Sequence, residues 1–221
     1  MKLTSTSRIL LSATLCLIAQ LVKSQEATKT FIKNGNIYVQ YDNAESRQLT
    51  AKGFDSQPIM ANDKSFVIYL RTIKNPTEPE EGVEIIDETK IVLYNLKSSV
   101  ENVIVQGCKS DGTGSSPINY SDSDEYPFSG LCNISNLQLS SDGQRVYFET
   151  SAWTVSNAIH YCFIPSRKLA FFSSGWLNKV FQDGNLNITI TDIEQNKGRY
   201  TQDWLYDKNG AAIEAIGEKE F

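Results

Sequence analysis

The stretch "LQLSSDGQRVYFET", residues 137–150, alternates apolar and polar residues, breaks at Asp142-Gly143, and then alternates again. Alternation with period two puts one face of an extended chain against a core, and an Asp-Gly pair accepts the positive φ of a tight turn, so the stretch reads as a β-hairpin. "IMANDKSFVIYLRT" (59–72) places Asp63, Val67 and Tyr69 in register with Asp142, Val146 and Phe148. "VFQDGNLNITIT" (180–191) is a looser third copy around Asp183. The turn aspartates are 79 and 41 residues apart; 41 is the size of a four-stranded propeller blade, and the larger gap carries two insertions, 75–88 and 106–132.

Working outward, strand patterns cover 29–32, 36–41, 45–49, 57–60, 65–73, 83–87, 89–96, 101–105, 134–139, 145–150, 158–164, 168–173, 177–181, 185–193, 199–206 and 211–216. Asn34-Gly35, Asp183-Gly184 and Asn209-Gly210 punctuate them as further turn pairs. Almost nothing has helical periodicity. The expected fold is all-β: a small or partial β-propeller of about four antiparallel four-stranded blades, with a β-sandwich as the alternative.

The segment 35–72 resembles the WD40-like propeller repeats of TolB and its relatives, through Ile37-Tyr38, Leu49-Thr50, Pro58 and Asp63 in that order. The second copy keeps "IVLYNL" (91–96) and "LSSDGQRVYFET" (139–150) but lacks the Leu-Thr pair and the proline. The likeness covers about half of the chain that follows the leader. The turns Ala61-Asn62-Asp63-Lys64 and Ser140-Ser141-Asp142-Gly143 keep only part of the family's Ser-Pro-Asp-Gly pattern. What the resemblance implies is a blade architecture used as a protein-interaction platform.

Residues 1–24 read as an export leader: Lys2 and Arg8 precede the apolar run Ile9 to Val22, and Val22-Lys23-Ser24 suits signal peptidase. Cys16 follows Leu15, which is too large for a lipid-attachment site. Beyond the leader, 25–221 is expected to form one domain, with no segment long and apolar enough to span a bilayer. It carries 18 basic and 26 acidic residues and no basic stripe, which argues against a nucleic-acid partner. Cys108 and Cys132 bracket a polar segment and are expected to form a disulfide, closing a loop of about 25 residues and contributing roughly 3 kcal/mol in the chain-entropy picture. Cys162, among apolar neighbours, reads as a buried free thiol.

The chemical inventory is thin. His160 is the single histidine, on the same strand face as Cys162 and two residues away, which is a loose spacing for a nucleophile pair. No zinc set, nucleophile elbow or phosphate loop occurs, so no catalytic residue, metal or cofactor is expected. Carboxylates are abundant, and a carboxylate-dependent carbohydrate-active enzyme is the alternative function. The acidic loop 120–130 could hold Ca²⁺, though without EF-hand spacing. Tyr120, Asp122, Asp124, Glu125, Tyr126 and Phe128 in the bracketed segment, with Trp153 and Trp176 near strand ends, have the make-up of a docking surface: aromatic anchors ringed by polar groups. The expected function is therefore an exported, periplasmic or secreted, non-enzymatic module that docks a protein partner, such as a secreted toxin or hydrolase that it neutralises. Asn119, Asn133 and Asn187 head glycosylation triplets that matter only in a glycosylating host.

Overall fold

The computed structural model describes residues 26–74, 87–109, 131–153, 156–194 and 198–220, and among them it contains strands and no helix. The first sheet is β1 (Ala27–Lys33), β2 (Asn36–Tyr41) and β3 (Ser46–Gln48). The second is β4 (Asp55–Met60), β5 (Phe66–Ile73), β6 (Glu88–Asn95) and β7 (Val100–Gln106). The remaining seven strands form one continuous meander: β8 (Ser135–Leu139), β9 (Arg145–Trp153), β10 (Ser156–Phe163), β11 (Lys168–Val180), β12 (Leu186–Glu194), β13 (Gly198–Tyr206) and β14 (Ala212–Glu220). Every pairing is antiparallel and joins strands adjacent in sequence.

The seven-stranded sheet is two blades sharing one strand. Residues Asn157 to Phe163 of β10 pair with Lys168 to Gly175 of β11, whereas Trp176 to Val180 pairs with β12. Both ends of β11 lie beside the β8–β9 turn: Lys168 pairs with Phe163, the partner of Arg145, and the Val180 amide donates to Gln138 Oε1 at 2.7 Å. The chain therefore doubles back near Gly175, whose φ is 133°. A Cβ there would sit 2.6 Å from the Thr189 carbonyl oxygen, so only glycine fits. The two sequence strands 168–173 and 177–181 are consequently one bent run. The expected strand 83–87 lies outside the described residues up to position 86.

Three apolar clusters fill the spaces between successive sheets. Val67 and Tyr69 of β5 join Ile37 and Val39 of the first sheet, while the alternate residues Ile68 and Leu70 join Leu137, Val146 and Phe148 of the third. Tyr147 and Ile159 face Leu177, Leu186 and Ile188 of the fourth. Central strands are thus apolar on both faces, which β5 shows as an unbroken run, and none of the three clusters joins the first sheet to the last. The molecule is a partial β-propeller, as expected, with the first blade at three strands instead of four.

The looseness of the third repeat has a structural cause. The Asp63 and Asp142 turns are closed by Met60↔Val67 and Leu139↔Val146, but the Asp183 turn is closed by Val180↔Leu186, one residue shorter. A one-residue slip moves every side chain to the other face. In β12 the buried residues are accordingly three and five places after the aspartate, Leu186 and Ile188, rather than four and six.

Candidate functional site

The meander sorts the connections by end. The turns 42–45, 61–65, 96–99, 140–144, 164–167, 181–185 and 207–211 share one end, cross-linked by Asn62 Nδ2 to the Ser141 carbonyl (2.8 Å) and Ser141 Oγ to the Gln182 carbonyl (2.6 Å). The strand ends that flank 75–86, 110–130, 154–155 and 195–197 all lie at the opposite end. Both insertions read from the sequence therefore spring from one end of the arc.

The larger insertion has a closed base. Cys108 and Cys132 are disulfide-bonded, as expected, with Cα atoms 5.1 Å apart. The Cys108 amide donates to the Leu131 carbonyl (3.2 Å), the Gly107 amide to the Thr89 carbonyl (2.8 Å), and the Ser151 amide to the Cys132 carbonyl (3.2 Å). The base is thereby tied to β6 and β9. Gly107 tolerates no side chain, because a Cβ would run into the Thr89 carbonyl.

Nearby, Glu149 of β9 is a buried hub. Its Oε1 accepts from the Leu177 amide (2.6 Å) and Asn136 Nδ2 (2.8 Å), and its Oε2 from Asn157 Nδ2 (2.7 Å). One carboxylate thus joins β8, β9, β10 and β11, and fixes the residue after Trp176. Trp176 itself is half-buried, opposite Thr189 on β12. Trp153 closes β9 opposite Ser156, at the same end. Tyr120, Asp122, Asp124, Glu125, Tyr126 and Phe128 lie outside the described residues.

A second hub is in the second blade. The Arg71 guanidinium forks onto Asp55 (2.7 and 3.2 Å) and onto Glu101 (2.8 and 3.1 Å), and Nη2 also donates to Tyr69 Oη at 2.9 Å. Tyr69 in turn donates to Glu101 Oε1 at 2.7 Å. Arg71 holds the Glu101 carboxyl below the usual carboxylate range, and burial first, then Glu101, pushes the Tyr69 phenol up. All three guanidinium nitrogens are directed at acceptors, which is the arrangement of a structural clamp.

His160 and Cys162 form no nucleophile pair. The His160 ring stacks on Phe148 (5.5 Å between centroids) and meets Thr150 Oγ1 at 3.0 Å through Nε2, while Nδ1 is buried without a partner. Burial lowers its pKa to about 4, so the ring is neutral. Cys162 is buried and unpaired, as expected, and burial pushes its thiol up to about 11.

Sequence reasoning missed the devices that lock neighbouring blades. Gln57 and Asn136, each six residues before its turn aspartate, sit in β-bulges with φ near 49°. Gln57 Oε1 accepts the Leu137 amide of the next blade (2.9 Å), and Asn136 Nδ2 donates to the Leu177 carbonyl of the one after (2.6 Å). A side-chain amide at a shared repeat position was the available signal.

Successive meandering sheets stacked face to face, with bulged strands interlocked, define the class as a β-propeller fold. Dipeptidyl peptidase 4 of Porphyromonas gingivalis is similar at 13% identity and TM-score 0.57, with 86% of this chain and 31% of that chain covered. The β-propeller domain of the Trilobed protease from Pyrococcus furiosus overlaps at 15% identity and TM-score 0.48, covering 75% and 43%. TolB from Acinetobacter baumannii does so at 12% and 0.34, covering 84% and 50%. The chain spans less than a third of the peptidase, and at such identity the likeness concerns fold alone. No family model matches the sequence, and no curated protein matches it.

Proposed function

We propose that this chain is an exported, non-enzymatic docking module that grips a protein partner through the connections at one end of its sheets. The observation that carries the reading is that the strand ends flanking 75–86 and 110–130 share that end, the latter pair stapled by Cys108–Cys132. Rigid strands that present irregular segments side by side are a common basis for recognition. The residues assigned to the contact are Tyr120, Asp122, Asp124, Glu125, Tyr126 and Phe128, flanked by Trp153 and Trp176. The leader-like 1–24 and the disulfide, a bond that persists in oxidising compartments, support export. An excess of acid suits a basic target through electrostatic steering.

Carboxylate-dependent glycan chemistry has less support. A general acid needs a carboxyl whose pKa is raised. The carboxyls with shifted values among the described residues, Glu26, Asp63, Glu88, Glu101, Asp142 and Asp207, all move down, each held by hydrogen-bond donors. The test is co-purification of the mature chain from its native envelope or medium, beside a variant with 110–130 replaced by a short Gly-Ser link that keeps both cysteines. A stoichiometric partner retained by the first and lost by the second supports docking. Turnover of a glycan panel without any partner would replace it with the enzyme reading.

A further inference from the structure

The tight-turn end, opposite the long connections, carries a feature that the docking role does not use. Three residues after the turn aspartate, the second blade has Phe66 and the third has Arg145. Phe66 plugs the seam to the next blade: its ring tip lies 3.7 Å from where a Cβ on Gly143 would be, and it packs on the core between those sheets. At the following seam the plug is absent. Arg145 instead donates through Nη1 to the Lys208 carbonyl (2.5 Å), with its guanidinium 5.1 Å from the centre of the Tyr161 ring. A pocket of about 150 Å³ opens there, lined by Asp142, Arg145 and Tyr147 from one blade and by Asp183, Gly184 and Lys208 from the other.

Its chemistry is two-signed. Arg145 uses one nitrogen on the Lys208 carbonyl and has a long 3.5 Å approach to Tyr147 Oη. The Lys208 ammonium has no ion-pair partner among the described residues. Asp142 and Asp183 accept from their own turn residues, Ser140 and Gln144 for the first and Asn185 for the second, and each retains lone pairs. A simple anion would meet two carboxylates and a simple cation two basic groups. The volume is well below the roughly 300 Å³ at which sites for drug-sized ligands begin.

We propose that this seam binds a small zwitterion of the free α-amino acid class, its carboxylate on Arg145 and Lys208 and its ammonium on Asp142 and Asp183. The site exists because an arginine stands where the preceding repeat keeps a phenylalanine.

The test is titration of the full mature chain, followed by amide NMR shifts of residues 140–147 and 182–185, with alanine, propionate and ethylamine as probes. Saturable shifts with alanine in the millimolar range are expected, with propionate and ethylamine at least tenfold weaker. Arg145→Phe restores the plug of the preceding repeat and should abolish the shifts while leaving the urea midpoint unchanged. Lys208→Met, on an exposed turn, should weaken alanine about tenfold and serves if the first variant does not fold. Equal binding of propionate and alanine, no saturation by any probe, or full binding by either variant would overturn the proposal.

Discussion

Glu149 is the residue on which the third and fourth blades converge. Glu149→Ala would leave the Leu177 amide and the amides of Asn136 and Asn157 without their acceptor, a loss of about 3 kcal/mol or more read by urea unfolding. Arg71→Met should cost a similar roughly 3–5 kcal/mol, because Asp55, with a side chain 0% exposed, loses its partner. His160 sets a pH dependence whose sign follows from burial. Its folded pKa, about 4, is below the unfolded value of 6.5, so the unfolded chain binds the extra proton between them. Stability contributed by the neutral ring is complete above about pH 6.5, falls as pH drops toward 4, and changes no further below it. The total is about 3 kcal/mol, and His160→Phe should flatten that part of the stability–pH curve. The partnerless Nδ1 makes phenylalanine a reasonable occupant beside Phe148.

At the scale of elements, the bend in β11 and the length of the Asp183 hairpin decide how the last blade docks. Gly175→Ala combines a φ of 133° with a 2.6 Å approach to the Thr189 carbonyl, and is expected to destabilise by several kcal/mol. Gly198→Ala has a similarly positive φ, 97°, but nothing near its Cβ, so it should cost distinctly less. Paired thermal melts of these variants separate packing from backbone strain. The elements themselves were legible: alternation and Asn-Gly or Asp-Gly pairs located the hairpins, and β2 spans the expected 36–41. What period-two reading could not register was a single missing residue in the 181–185 turn. Such a change leaves the hydrophobic pattern intact and only alters its phase relative to the aspartate.

For the whole molecule, the stacking of sheets places the three apolar clusters in the seams, and neither disulfide cysteine belongs to any of them. Replacing Cys108 and Cys132 by serine should lower stability by roughly 3 kcal/mol while preserving the far-UV spectrum, since the strands are paired independently of the bridge. Cys162 lies inside the cluster between the second and third sheets. Its alkylation should therefore track global unfolding, and a thiol that reacts under native conditions would contradict the burial. The arc is also uneven in polarity. The outward side of β12 and β13 carries Asn187, Thr189, Thr201 and Asp203, joined by Asn178 and by the Thr189–Asp203 hydrogen bond. Where the second and third blades turn an apolar face to their successor, the fourth turns a mixed one, on which Ile193 and Ile216 are exposed beside these polar groups.

The repeat, the strand content, the disulfide pairing and the buried thiol were determined by the sequence alone, because alternation, turn residues and cysteine context are local signals. Tertiary structure decided the rest: which face of each strand meets which blade, that both insertions emerge at one end, that Gln57 and Asn136 clasp the next blade, and that Arg145 opens a seam which Phe66 closes. Those facts depend on register and on contacts between residues about 40 to 80 positions apart, and no local pattern encodes such distances.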